Sequence, residues 1–297
     1  GTCTNPSINL DSDNYLYVTC TTPVLSEGVY TVELTLTNLG RVLTAENVVT
    51  YSGDPLDGIE TMQTFTAAAC NRLPEADTAG NNIYTLKDSR DNKSYKIAHL
   101  ADGNCWMVQN LALDGGRTLT PADSNVTQNR TLPANIANGV APSYNDSQIY
   151  AGVQNQTDVY GSKYGNLYNY PASSATLGNF ETLSTITESV CPKNWRLPDN
   201  SNYNTLIPLY YSEQDSIVEK ITKLQNLPLS IPLPGRYDST YYNSYEVGFY
   251  IARTVPSDNI YGVYSLLINN ISAYTEINTL RIANKNWGMS VRCVFDS

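Results

Sequence analysis

Apolar and polar residues alternate in three short segments near the N-terminus, which is the period of a strand with one buried face. The segments are residues 14–20, 29–37 and 41–51, and turn-forming residues separate them. Short strands at this spacing predict a small β-sandwich over residues 1–52. Residues 53–60, which hold one Pro, two Gly and three acids, predict a linker.

The pattern of the remaining chain, residues 61–297, mixes strand and helix periods. Residues 83–100 alternate as a β-hairpin, with the polar run 88–92 at its turn. Residues 114–160 have little periodicity and are rich in Asn, Thr, Pro, Gly and Asp, which predicts long ordered loops. From residue 233 onward the chain is again rich in residues that favour strands.

Two helices are expected between these β-rich parts. Residues 199–201 can cap a helix that carries Tyr203, Leu206 and Ile207, and Pro208 would disturb or end it. A second helix over residues 215–224 places Ile217, Ile221 and Leu224 on one face. The fold class predicted for the second unit is therefore α+β.

Composition and charge limit the partners and the cellular location that are expected for the chain. The chain has 23 Tyr but only 4 Phe, and its net charge is −10, with no clustered Lys and Arg that could bind nucleic acid. Residues 1–60 hold eight acids and one base, so most of the charge belongs to the first unit. No apolar stretch approaches the roughly 20 residues of a membrane helix, and no signal peptide follows Gly1. We expect a mature domain that is secreted or displayed on a cell surface.

The six cysteines predict a disulfide framework. They are widely spaced, they form no CxxC, and the single His99 gives little support to a zinc site. Six cysteines allow 15 pairings, and proximity in sequence favours Cys3–Cys20, Cys70–Cys105 and Cys191–Cys293. The alternative is six free thiols in a cytosolic protein.

Five motifs in the second unit carry a resemblance. They are residues 85–111, YGNLYNYPAS at 164–173, CPKNWRLP at 191–198, IPLPGRYD at 231–238 and GMSVRCV at 288–294. In this order they resemble the Fibrobacter succinogenes major paralogous domain, a family similar to the C-type-lectin-like fold. The resemblance implies a compact mixed domain over residues 61–297, with a loop-rich insertion and with its first and last strands close together. It also implies that Cys191–Cys293 ties the segment before the first predicted helix to the last strand.

The first unit resembles part of another family. Residues 18–23 (VTCTTP), 28–38 (GVYTVELTLTN) and 47–51 (NVVTY) resemble the later part of an IPT/TIG immunoglobulin-like domain, whose opening strands are absent here. Modules of that family are mostly spacers and stalks on extracellular proteins, so the resemblance implies that the first unit presents the second.

An enzyme is not expected from the motifs. His99 alternates between apolar neighbours without a partner motif, and no nucleophile elbow, zinc-protease, P-loop or dinucleotide motif occurs. Formylglycine-generating enzymes are similar in fold and use reactive cysteines, which bridged cysteines could not supply. No cofactor is expected. A structural calcium ion in the oxygen-rich loops 11–14, 88–92 or 199–204 stays open as an alternative, although sugar-site motifs of calcium-dependent lectins are missing.

Core and ion-pair expectations follow from neighbouring residues. Trp106 and Trp195 stand in apolar-rich segments and are predicted to pack in the core. Arg292 lies between Val291 and Cys293, so alternation predicts that it points outward and pairs with an acid such as Asp88 or Asp91.

The tyrosines provide the functional hypothesis. Fifteen of the 23 lie between residues 160 and 274, interleaved with Asn and Ser, and this mixture is typical of adaptable binding surfaces. The alternative is that tyrosines decorate the outer faces of strands. The candidate ligand-binding residues are Tyr237, Tyr241, Tyr242, Tyr245, Tyr261, Tyr264, Asn269, Asn270, Ser272, Tyr274, Asn284 and Asn286.

C-type-lectin-like domains are also the display scaffold of proteins diversified by retroelements. Residues 237–286 hold the residue set that Asn-codon mutagenesis produces in those systems, so the resemblance implies a variable recognition or adhesion surface. The expected ligand is a protein or a glycan on another surface. The alternative function is a structural cell-surface component without a specific ligand. A third is an enzyme similar to the formylglycine-generating enzymes, which free thiols in the chain would favour.

Overall fold

The chain divides into two compact units, Gly1–Gly58 and Ile59–Ser297, and the division falls inside the predicted linker. In the computed structural model, side chains are described from residue 54 onward for most of the chain, and only strand backbone is described for residues 4–51 and 241–242. The residues that the structure describes are 4–10, 16–21, 28–36, 41–51, 54–137, 140–144, 146–151, 158–159, 164–175, 186–238, 241–242, 246–272 and 274–296.

The first unit contains two antiparallel strand pairs. Strand β1 (Thr4–Leu10) pairs with β2 (Leu16–Thr21), and β3 (Gly28–Leu36) pairs with β4 (Arg41–Tyr51). The three strands predicted from alternation correspond to β2, β3 and β4, while β1 was not predicted. The predicted bond Cys3–Cys20 lies outside the residues whose side chains the structure describes.

The second unit is a mixed α+β structure in which sheets predominate. Its helices are α1 (Ala67–Arg72), α2 (Tyr170–Ser173), α3 (Asn200–Leu206) and α4 (Ile217–Gln225), with 3-10 turns at Met62–Thr64 and Ile207–Tyr210. Its strands are β5 (Ile83–Lys87), β6 (Ser94–His99), β7 (Cys105–Met107), β8 (Thr118–Leu119), β9 (Arg130–Thr131), β10 (Ile149–Tyr150), β11 (Leu167–Tyr168), β12 (Trp195–Arg196), β13 (Arg236–Tyr237), β14 (Tyr241–Tyr242), β15 (Val247–Ile251), β16 (Gly262–Ile271), β17 (Tyr274–Asn284), β18 (Met289–Ser290) and β19 (Val294–Phe295).

Two larger sheets organise this unit. One has the order β12-β19-β7-β6-β5, and the other has the order β10-β11-β18-β15-β16-β17. Neighbouring strands are antiparallel except for β15 and β18, which run parallel. The predicted hairpin at residues 83–100 is confirmed as β5–β6, with Lys87 opposite Ser94. Strand β17 ends the second sheet.

Local capping explains where the two predicted helices begin. Asp199 and Asn202 form a reciprocal capping box before α3, and Ser216 and Glu219 form another before α4. Pro208 lies in the 3-10 turn that follows α3, as its missing N–H requires. The predictions of helices near residues 200–207 and 215–224 are confirmed.

The main core lies between α3, α4 and the facing sides of both sheets. It includes Tyr203 and Leu206 of α3, Ile221 of α4, and Leu266 and Ile268 of β16. The prediction that both tryptophans are core residues is confirmed, because Trp106 is 2% exposed and Trp195 is fully buried.

Two disulfide bonds fasten the second unit. Cys70–Cys105 joins α1 to β7, and Cys191–Cys293 joins the segment before β12 to the segment before β19, as predicted. The rings of Phe65 and Phe295 lie 5.0 Å apart, so the start of this unit contacts its end. Within the described residues, no helix is long and apolar enough to cross a membrane.

The prediction for Arg292 is wrong. Residues 291–293 interrupt the strand pattern between β18 and β19, so alternation does not apply there, and Arg292 is buried with both of its neighbours. Asp88 instead pairs with Arg90 at 2.5 Å. The three guanidinium nitrogens of Arg292 donate to the carbonyl oxygens of Leu229 and Ser230 and to Oδ1 of Asn110.

Candidate functional site

The candidate ligand-binding residues from Tyr261 to Asn286 fall at opposite ends of the β16–β17 hairpin. One group adjoins the pair Gly262 and Asn284, and the other adjoins the pair Ile271 and Tyr274. The two pairs are nine residue steps apart along β16, which corresponds to about 30 Å. The structure therefore does not bring the two groups into one site, and each is described separately.

At the first end, Tyr261 presents an exposed aromatic ring. Its side chain is 50% exposed, and its ring meets that of Tyr144 edge to face, with 5.4 Å between the ring centres. The N–H of Tyr261 donates to Oδ1 of Asn259 at 3.0 Å, and its carbonyl oxygen accepts from the N–H of Lys285 at 2.8 Å. Hydrogen bonds on both sides thus fix the backbone that presents this ring.

Gly262 allows the chain to pass closely beneath Tyr261. A Cβ at this position would lie 2.7 Å from Cγ2 of Ile282 and 3.0 Å from Nδ2 of Asn259. Such distances would force one of these groups to move, so glycine is required for the close approach of β16 and β17 where the hairpin opens.

The neighbouring members of this end differ in exposure. Tyr264 is half-buried and packs against the main core, whereas Asn284 is exposed. Oδ1 of Asn286 is buried and has no hydrogen-bond partner among the described residues. A buried amide oxygen without a donor is uncommon, so Asn286 is an acceptor that a bound group or a water could satisfy.

Sequence reasoning missed a cation–aromatic stack close to Asn286 in the chain. The guanidinium carbon of Arg236 lies 3.5 Å from the ring centre of Trp287, whose ring meets Phe249 edge to face at 5.7 Å. Asp238 bonds the same guanidinium at 3.1 Å. Stacking of this kind requires residues 51 positions apart in the chain to meet, which no local pattern indicates.

At the second end, the tip of the hairpin, the candidate residues differ in how far they are buried. Asn269 is buried, and its Oδ1 accepts from the N–H of Ile271 at 3.0 Å, so this oxygen is bonded within its own strand. Asn270 is half-buried, Ser272 is exposed, and Tyr274 is 60% exposed. Among the described residues, no aromatic ring supports Tyr274 as Tyr144 supports Tyr261.

The prediction that Tyr237 contacts a ligand is wrong. Its side chain is fully buried and stacks on Tyr150 with 3.9 Å between ring centres, and its hydroxyl donates to the carbonyl oxygen of Val140. For Tyr241 and Tyr242 the structure describes only strand backbone, and Tyr245 lies outside the described residues.

In two of the three loops considered for calcium, a carboxylate forms an ion pair with an arginine. Burial raises the pKa of Asp88, but hydrogen bonds and charge from Arg90 outweigh it and hold the pKa below its usual range. Asp199 is balanced in the same way by Arg253, which donates to both of its oxygens at 2.8 Å. Among the described residues no group of three acids, histidines or cysteines could hold a metal ion, and loop 11–14 lies outside them.

The described histidine and cysteines have structural partners. Nδ1 of His99 lies 2.9 Å from the carbonyl oxygen of Leu73, which fits a donated hydrogen bond. All four cysteines of the second unit are in disulfide bonds. A reactive thiol of the kind used by formylglycine-generating enzymes is therefore absent from this part of the chain.

A surface cleft of about 670 Å³ lies apart from the candidate residues. Among the described side chains that line it, Lys223 is the one cation, and Asp215 balances it at 2.6 Å. None of the candidate residues whose side chains the structure describes lines the cleft. The lining side chains are Thr78, Val159, Tyr210, Lys223, Asn226 and Leu227.

Comparisons of the chain with protein-family models, with curated proteins and with solved structures give no match. The most developed site geometry among the described residues is the end of the hairpin at Tyr261, where a half-exposed ring is held by defined backbone bonds and supported by a second ring.

Proposed function

We propose that this protein recognises a ligand outside the cell, with a C-type-lectin-like second unit presented by an immunoglobulin-like first unit. The ligand is a protein or a glycan on another surface. The observation that carries the proposal is the exposed ring of Tyr261, supported by the half-buried ring of Tyr144, at the open end of the β16–β17 hairpin. The two disulfide bonds of the second unit support an extracellular setting.

The physical case is that this end is organised before any ligand arrives. Tyrosine offers a large amphipathic contact area at a low cost in conformational entropy, and tyrosines dominate binding energy at many interfaces. The bonds from Asn259 and Lys285 hold the Tyr261 backbone in place, so little ordering is left for the binding step. Asn284, which pairs with Gly262, is exposed and supplies hydrogen-bonding groups at this end.

We further propose that a retroelement diversifies this surface. If so, variation among related isolates is expected at exposed positions such as Tyr261 and Asn284, while buried strand positions such as Leu266 and Ile268 stay constant. Sequencing the locus in related isolates tests this. Invariant codons at the exposed positions, or variation spread equally over the buried ones, would refute it.

The test of recognition compares two equally simple variants. Tyr261→Ala removes the supported ring, and Tyr274→Ala removes an equally exposed ring about 30 Å away at the other end. We expect the wild type to bind members of glycan and surface-protein arrays, Tyr261→Ala to bind at least about tenfold more weakly, and Tyr274→Ala to bind like the wild type. Both variants should melt at the wild-type temperature. No binding by the wild type, or equal binding by Tyr261→Ala, would contradict the proposal.

A structural cell-surface component is the second candidate. The observation that favours it is the exposure of Leu280 and Ile282, at 49% and 42%, on the outermost strand of the six-stranded sheet. Apolar side chains on an edge strand are typical of assembling surfaces. Under this alternative the chain assembles with itself, and Tyr261→Ala has no effect on any binding.

A further inference from the structure

One long edge of β17 has no neighbouring strand among the described residues, because β17 is the last strand of its sheet. The backbone groups of β16 alternate between its two neighbours. The N–H of Tyr264 donates to the carbonyl oxygen of Thr254, and the N–H of Asn270 donates to that of Glu246, both on the β15 side. The even-numbered residues of β16 therefore face β15, and the odd-numbered residues face β17.

The open edge of β17 follows from this alternation. Residues of β17 that pair with even-numbered residues of β16 direct their backbone groups away from β16, and these include Thr275, Ile277 and Ile282. The N–H of Leu280 is held by Oδ1 of Asn278 at 2.9 Å. The edge thus presents backbone donors and acceptors in a row, as a template for another strand.

An irregularity in β17 places two opposite charges on one face. Glu276 pairs with Asn269 and Arg281 pairs with Ser265, so five steps along β17 match four steps along β16. In a regular strand, residues five positions apart point to opposite faces. The extra residue between them cancels one alternation, and Glu276 and Arg281 point to the same side of the sheet.

Neither charge is balanced within the described part of the chain. Oε2 of Glu276 is buried without a hydrogen-bond partner, although Oε1 accepts from Asn278 at 2.8 Å. Arg281 is exposed, and its guanidinium makes no ion pair with a described residue. The two residues are about 14 Å apart along the strand, too far to bond each other. Neither residue therefore has an ion-pair partner within the described part of the chain.

We propose that β17 pairs antiparallel with β17 of a second copy of this chain, with Glu276 of one copy opposite Arg281 of the other. A two-fold axis then passes between Asn278 and Thr279, and every contact occurs twice. The same register sets Ile277 opposite Leu280, which forms two apolar pairs beside the two ion pairs.

The register is specified by these side chains. Thr275 comes opposite Ile282, so residues with outward backbone groups face each other, as an antiparallel ladder requires. A shift of two positions would set Glu276 opposite Thr279 or Ala283 and leave both charges unpaired, and a shift of one would oppose side chains on different faces. The bond from Asn278 to the Leu280 N–H opens when the edges pair.

Charge reversal in the full-length chain tests this pairing by sedimentation equilibrium. We expect a wild-type dimer at concentrations up to about 100 μM. Glu276→Arg and Arg281→Glu should each weaken dimerisation at least about tenfold, because like charges then face each other twice. The double variant should recover the wild-type constant, and so should an equimolar mixture of the two single variants, which pairs unlike charges in a heterodimer. Lys193→Glu, an exposed charge reversal elsewhere, should change nothing.

A second variant avoids charge altogether. Ile282→Pro removes an N–H that faces the open edge, where proline is tolerated, so we expect a monomer with the wild-type fold by circular dichroism. A monomeric wild type, unchanged dimerisation in the single charge variants, or a dimer of Ile282→Pro would each overturn the proposal. Failure of the mixture to recover would do the same. None of these outcomes depends on ligand recognition at Tyr261.

Discussion

Replacing Arg292 with methionine tests whether a buried cation holds the second unit together. Arg292 is 4% exposed, and its guanidinium donates to Oδ1 of Asn110 at 2.8 Å, to the carbonyl oxygen of Leu229 at 2.5 Å and to that of Ser230. It also lies 5.6 Å from the ring centre of Tyr250. One side chain therefore ties the segment after α4 to the centre of the fold.

The size of the effect follows from the three acceptors. Methionine fills much of the same volume but donates no hydrogen bond, so three buried oxygens lose their donor. Each orphaned acceptor costs about 1–3 kcal/mol, and because neighbouring losses are not additive we expect a total of about 3–5 kcal/mol. Against a typical stability of about 5–15 kcal/mol, this is a large fraction.

Denaturant unfolding under non-reducing conditions measures this loss, with Lys193→Met as the control. Lys193 is exposed, and its replacement should change stability by no more than about 0.5 kcal/mol. Arg292→Lys should fall between the wild type and Arg292→Met, because a compact ammonium cannot reach three separate acceptors. A loss below about 1 kcal/mol in Arg292→Met would refute the argument.

Three further predictions concern stability. Burial lowers the pKa of Lys285 to about 8. Its charge therefore destabilises the folded state fully below that pH, and progressively less as the pH rises to the unfolded pKa of 10.5. Lys285→Met should be about 1–3 kcal/mol more stable than the wild type at pH 7, and paired denaturation curves should show that this gain vanishes near pH 10.5. Removing Cys191–Cys293 should cost about 4.7 kcal/mol and removing Cys70–Cys105 about 3.8 kcal/mol, because their loops span 102 and 35 residues; a reversed order in denaturant midpoints would contradict this. Gly262→Ala should lower the melting temperature, since its Cβ would meet a side chain of β17 at 2.7 Å.

The sequence predicted those parts of the fold that depend on neighbours in the chain. The helices α3 and α4 were predicted because capping residues and a 3.6-residue period are local, and the β5–β6 hairpin because its turn and its alternation are adjacent. The two-residue strands within the loop-rich region were not predicted. Strand β11, for example, exists through pairing with β18, where Leu167 meets Ser290 across 123 positions.

Contacts between residues distant in sequence also decide which candidate side chains are exposed, and local patterns do not predict them. Tyr237 and Tyr261 both stand among polar and small residues, yet one is fully buried and the other half-exposed. What distinguishes them is Tyr150 of strand β10, which is distant in sequence and stacks on Tyr237. The irregularity in β17 was equally invisible, because it is a property of the register with β16 and not of either strand alone.

If β17 pairs two copies and each copy binds ligand at Tyr261, the dimer has two ligand-binding sites. Tyr261 lies six residues of β16 away from Leu267, which pairs with Asn278 beside the proposed two-fold axis, or about 20 Å along the strand. In the antiparallel dimer the two Tyr261 rings would therefore stand about 40 Å apart, at opposite ends of one continuous sheet. Two sites arranged in this way bridge ligands on separate surfaces more readily than they bind one surface twice. Arg281→Glu should accordingly abolish cross-linking of ligand-coated beads while single-site affinity stays unchanged; a loss of both would show that the edge and the recognition end are not independent.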